Sequence, residues 1–141
     1  METSNKAFGF HLMLDLYHCK CAYLDNVEYC YNFLDNLVQK LNMHKQSPAF
    51  VFKTPEEFEG KQGISGWIPI VESGISIHTL TETDFVSIDI YSCRRFNPQG
   101  LADFVQEAFE PLEIEQNYVL RGKKYFGSEV TTKEKRGDSM R

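Results

Sequence analysis

Three apolar stretches crowd the middle of the chain: SGWIPIVE (65–72), GISIHT (74–79) and DFVSIDIY (84–91). In the second, Ile75 and Ile77 alternate with Ser76 and His78, the period-two pattern of a strand with one buried face. The separators are too short to carry crossover helices, so these strands run antiparallel. A sheet built this way needs a second layer to cover its apolar side.

The flanking sequence supplies that layer. Residues 8–17, FGFHLMLDLY, set Phe8, Phe10, Leu12, Leu14 and Leu16 against a mixed second face and predict a strand. Asp25 or Asn26 caps a helix to about Leu41, with Val27, Cys30, Leu34, Leu37, Val38 and Leu41 as its apolar stripe. PAFVFK (48–53) predicts another strand, followed by a polar loop, TPEEFEGKQG, that its proline and glycines keep irregular. NPQGLADFVQEAF (97–109) predicts a second helix, capped by Asn97, with Leu101, Phe104, Val105 and Ala108 facing inward. EIEQNYVLRG (113–122) adds a last strand.

The order predicts an α+β, two-layer sandwich: an antiparallel sheet with helices packed on one face. Residues 1–122 form one domain, and 123–141 a charged tail expected to be disordered.

A formal charge of −5 argues against a nucleic-acid partner, which wants a basic face, and mildly favours a cationic ligand. No run approaches the ~20 apolar residues of a membrane span. METSNKAFGF lacks the basic and apolar regions of a signal peptide, which predicts a cytoplasmic protein. There Cys19, Cys21, Cys30 and Cys93 stay free thiols.

Three chemistries compete for the polar residues. A metal site on His18, Cys19 and Cys21, with His11, lacks the second ligand pair that zinc sites carry, so no metal is expected. Hydrolysis by Ser73 with His78 lacks the glycine-framed nucleophile elbow. The third makes Ser73 a nucleophile toward its own backbone. Its hydroxyl attacks the Glu72 carbonyl to form an ester, and β-elimination expels that ester. The dehydroalanine left behind hydrolyses to a pyruvoyl group at a new N-terminus. Such chemistry needs a hydroxyl, an open backbone, an oxyanion donor and a base, parts that Ser73, Gly74, Ser65 and His78 can supply. A pyruvoyl ketone forms a Schiff base with a substrate amine and takes up electrons as carbon dioxide leaves.

The fragments GFHLMLDLYHC, LDNV, GISG, ESGISIHT and SIDIYSC, in that order from Gly9 to Cys93, give the chain a family likeness. It resembles the small bacterial and archaeal S-adenosylmethionine decarboxylases, self-cleaving pyruvoyl enzymes of polyamine and spermidine synthesis. The resemblance implies that Ser73 becomes the pyruvoyl group and that Glu72 ends the shorter upstream chain. It implies that His78 handles the Cα proton during elimination and that Ser65 assists the acyl shift. Cys93 matches the cysteine that protonates the substrate carbon, and Glu82 the carboxylate that holds the ribose hydroxyls. An aromatic stacks on adenine in the family, and Phe52 and Phe58 are the alternative candidates for it here. The resemblance further implies a small-molecule substrate and a homodimer of processed two-chain protomers, joined through their sheets with active sites near the interface.

The chain departs from the family pattern in three places. Gly74 stands where the family has histidine after the cleaved serine, HTLTE replaces HTWPE, and the loop before GISG is longer. Acidic Glu56, Glu57 and Glu59 in that loop raise arginine or ornithine as alternative substrates for the same chemistry. A non-catalytic regulatory homologue is the third reading, and retention of Ser73, His78 and Cys93 argues against it.

Overall fold

Alternation turns out to place every second residue of four strands in one core. In the computed structural model, which describes residues 6–127, β1 (Gly9–Tyr17), β2 (Phe50–Lys53), β3 (Ile64–Ile70), β4 (Ser73–Leu80), β5 (Phe85–Ser92) and β6 (Glu113–Arg121) form one antiparallel sheet. The strand order is β2-β3-β4-β5-β1-β6. The central meander β3-β4-β5 is the one the short separators predict. β1 then pairs with both β5 and β6, two neighbours remote in sequence.

Helices α1 (Val27–Lys40) and α2 (Gln99–Phe109) cover one face of this sheet. Leu12, Leu14, Leu16, Ile68, Ile75, Ile77, Val86, Ile88 and Ile90 supply the sheet side of the core. Cys30, Leu34, Leu37 and Val38 of α1 and Leu101, Val105 and Phe109 of α2 supply the other. Phe33 ties the helices together, its ring centroid 4.8 Å from Phe109 and 5.5 Å from Phe104. Gly66 lets α1 approach, since a Cβ there would stand 3.1 Å from Leu34 Cδ1.

Asn26 caps α1, accepting the Tyr29 N–H at 2.8 Å. Two expectations need correction. Val27, the first residue of the helix, is exposed rather than on the apolar stripe, and Phe33 is buried in the core instead. The N-cap of α2 is Pro98 rather than Asn97, whose side chain nonetheless accepts the Gln99 N–H at 3.0 Å. Most of the tail, residues 128–141, lies outside the described residues. Among the described residues no helix is long and apolar enough to cross a membrane.

Among the described residues, the face away from the helices carries no second layer. It presents His11, Met13, Asp15, Ser65, Trp67, Ser76, His78, Ser87, Asp89 and Tyr91, with Phe50 and Phe52 at the β2 edge.

Candidate active site

Two groups of polar residues stand out, one at a turn and one on the open face. The turn joins β3 to β4 through Val71 and Glu72. Ser73 opens β4 with φ 152°, a backbone conformation that L-residues rarely adopt. The Glu72 carbonyl, the acyl half of the Glu72–Ser73 peptide bond, accepts the Cys93 backbone N–H at 2.7 Å. Ser73 is also paired with Ser92 in the β4–β5 ladder, so the end of β5 brings Cys93 beside it. The Cys93 side chain is exposed.

The Glu72 side chain is buried. It accepts the His44 backbone N–H on Oε1 at 3.1 Å and faces His44 Nδ1 from Oε2 at 2.7 Å. Burial alone would raise this carboxyl's pKa, but the hydrogen bonds from His44 outweigh it and hold the group below its ordinary value. The sequence contains no periodic signal for His44, which acts from a loop 28 residues upstream.

On the open face Ser65 Oγ and His78 Nδ1 share a 3.0 Å hydrogen bond across the β3–β4 ladder. They line an open cavity of about 400 Å³ with Phe50, Phe52, Trp67 and Asp89. Phe50 and Trp67 stack with centroids 6.0 Å apart and planes 19° from parallel. Asp89 is held by His11 Nε2 at 3.0 Å. Of the two predicted aromatics, Phe52 lines this cavity and Phe58 does not. Glu82 is exposed in the β4–β5 turn and points toward the 54–63 loop, near Gly60. Trp67, Phe50 and Asp89 escaped the sequence reading because each fits an ordinary strand pattern.

The two groups do not meet within one chain. His78 lies five residues along β4 from Ser73, roughly 16 Å at ordinary strand rise. Five is odd, so the register also puts them on opposite faces: Ser73 shares a row with Ile70 and Ser92, His78 with Ser65 and Ser87. His78 therefore does not face the Glu72–Ser73 bond of its own chain, and its expected part in the elimination cannot be played there.

Gly74 sits beneath Trp67. A Cβ on it would stand 2.9 Å from Trp67 Nε1, which gives the departure from histidine a physical cause: the indole occupies that space. Burial pushes the Cys19 and Cys30 thiols up to about 12, and all four cysteines are free. Among the described residues no group of three or more His, Cys, Asp or Glu is placed to hold a metal ion.

The sequence profile of the family described as S-adenosylmethionine decarboxylase matches residues 10–122. The chain belongs to that family. It is 34% identical over 119 residues to a Clostridium botulinum (strain Hall) S-adenosylmethionine decarboxylase proenzyme, covering 84% of this chain and 97% of that one. A proenzyme of the same description from Acetivibrio thermocellus is 28% identical, with coverage of 82% and 90%. The crystal structure of the adenosylmethionine decarboxylase from Aquifex aeolicus superposes with a TM-score of 0.69 at 27% identity, covering 83% of this chain and 92% of that one. Within the decarboxylase family fold, the unusual Ser73 backbone falls at a turn, where the sheet tolerates it. The cavity falls on the face that the helices leave open.

Proposed function

We propose that this chain is a self-processing, pyruvoyl-dependent decarboxylase that converts S-adenosylmethionine to S-adenosylmethioninamine for spermidine and polyamine synthesis. One observation carries the reading: the Glu72 carbonyl already rests on a backbone donor, with Ser73 in a strained conformation beside it. Ser73 Oγ attacks the Glu72 carbonyl carbon. Negative charge gathers on the oxygen that the Cys93 N–H faces, the preorganised arrangement that most lowers such barriers. The C–N bond breaks, leaving an ester to Glu72 and a free amine on residue 73. Loss of the Ser73 Cα proton then forms the Cα–Cβ double bond as the Cβ–Oγ bond breaks and the Glu72 carboxylate leaves. The resulting dehydroalanine takes up water and gives off ammonia, which leaves a pyruvoyl group at residue 73.

These residues fit that group: a hydroxyl on a strained backbone, an acyl oxygen with its donor in place, and an exposed thiol alongside. The group supplies an electrophilic carbonyl that draws electrons as the substrate loses carbon dioxide. Cys93 is the proton donor to the substrate carbon. Glu82 accepts from the ribose hydroxyls, and Phe52 offers a face for the adenine and the sulfonium cation. The matches favour S-adenosylmethionine over arginine or ornithine.

Proton transfer from the Ser73 Cα calls for His78, yet His78 of the same chain lies too far away on the wrong face. A second copy packed through its own open face supplies it, with Ser65 and Glu82. The functional unit is thus a homodimer of two-chain protomers, and exposed Phe50, Phe52 and Trp67 are the apolar surface it buries.

Intact mass of the purified protein tests the reading. It should show two pieces, residues 1–72 and 73–141, the second bearing the pyruvoyl group. Carbon dioxide release should be seen from S-adenosylmethionine and not from arginine or ornithine assayed alongside. An uncut, folded and fully active chain overturns the pyruvoyl reading. Release from arginine or ornithine alone overturns the substrate.

A further inference from the structure

The segment after α1 grips the β3–β4 turn at several points. The Val71 N–H donates to the His44 carbonyl at 2.8 Å, and the Gln46 N–H to the Pro69 carbonyl at 3.0 Å. His44 returns two contacts to the Glu72 carboxylate, one from its backbone N–H and one through Nδ1. A carboxylate only accepts, so Nδ1 carries the proton in that contact. The same segment is fixed from the far side: Arg94 Nη2 donates to the Leu41 carbonyl at 2.9 Å and to the Asn42 carbonyl at 2.6 Å. Arg94 follows Cys93, whose N–H holds the Glu72 carbonyl. Glu72 is thereby held at both ends, its side chain by the 41–46 segment and its acyl oxygen by the 92–94 corner.

We infer that His44 is a positioning residue for self-cleavage: by holding the Glu72 carboxylate it fixes the Glu72 carbonyl on the Cys93 N–H and keeps Ser73 in its strained conformation. The inference rests on the proposed cleavage between Glu72 and Ser73. His44 touches no reacting atom. Its effect is to stop the turn from relaxing, because a carboxylate freed from this buried contact would swing toward water and rotate the peptide that follows. A group held this way contributes before bonds change, as positioning does in general.

The test follows the chain's conversion into its two pieces after cell-free synthesis, by denaturing gel against time. His44→Ala keeps the backbone contact and loses only the Nδ1 bond, and should cleave roughly 10- to 100-fold more slowly. His44→Asn places an amide N–H close to where Nδ1 stood, and should recover a rate near wild type. In the uncleavable Ser73→Ala background, His44→Ala should melt close to its parent, which separates positioning from loss of fold. Cleavage of His44→Ala at the wild-type rate overturns the inference, as does an Asn variant as slow as Ala. Should His44→Ala fail to fold, Glu72→Gln replaces it: slower cleavage supports the clamp and an unchanged rate overturns it. A wild type that never cuts overturns the proposed function and this inference together. A wild type that cuts beside an unimpaired His44→Ala overturns this inference alone.

Discussion

At the Ser73 corner the groups that matter are backbone atoms and a buried carboxylate, each held by a named partner. On the open face the exposed Ser65 and His78 are bonded to each other and line a cavity open to solvent. The acyl oxygen at the corner is held within the single chain, whereas under the proposed function the open face is a half-site whose base, His78, has no proton to take from its own chain. The contrast teaches that a residue's face can be worked out from register alone, and that this parity decides which groups share a site.

The strongest way to break this comparison is to divide the two regions between chains. Ser73→Ala should remain uncut and inactive, and His78→Ala should cleave poorly because the Cα proton has no acceptor. Co-expressed, the pair should yield cleaved His78→Ala chains, since the Ser73→Ala partner brings an intact His78. Gels of tagged chains read this directly. If mixing restores nothing while each variant folds and dimerises, the two half-sites do not complete each other.

The proposed function gives Cys93 two roles that a substitution can separate: its backbone N–H holds the Glu72 carbonyl, and its thiol would serve the substrate. Cys93→Ala keeps the first and should still self-cleave, while decarboxylation should fall by ~10²–10⁴, the usual effect of removing a positioned general acid. Single-turnover rates on the cleaved variant check this. Full activity would show that another group delivers the proton.

The smallest expected effect lies between Gly74 and Trp67. Alanine in place of a strand glycine ordinarily stabilises by roughly 0.5–1 kcal/mol through chain entropy. Here the new methyl meets the Trp67 indole, so Gly74→Ala in the Ser73→Ala background should lose that gain or turn destabilising. In a Trp67→Ala background the gain should return. Urea unfolding of the four proteins gives the coupling, and simple additivity would mean that the indole does not hold that space.

Much of this was legible in the residues. The β3-β4-β5 meander follows from alternation and short turns, and Asn26 announces α1 because a side-chain oxygen is what the first turn lacks. The position of β1 between β5 and β6 was not legible, because pairing partners remote in sequence leave no local mark. Of the site, the motifs single out Ser65, Ser73, His78 and Cys93, but the Ser65–His78 bond depends on the β3–β4 register and was not legible. The separation of His78 from Ser73 was open to a parity count, since five steps along a strand change face. His44 offered no such signal: a loop residue bonded to a distant carboxylate follows no period.

One consequence of the strand order concerns the two pieces that the proposed cleavage would leave. Upstream of Glu72 run β1, β2 and β3; downstream run β4, β5 and β6. Yet β1 is threaded between β5 and β6, while β3 lies against β4. The two products are thus plaited rather than merely adjacent. Pulling them apart means tearing a strand from the middle of the sheet and emptying Leu12, Leu14 and Leu16 from the core. Cleavage can change the chemistry of residue 73 while the matured halves remain mechanically one body.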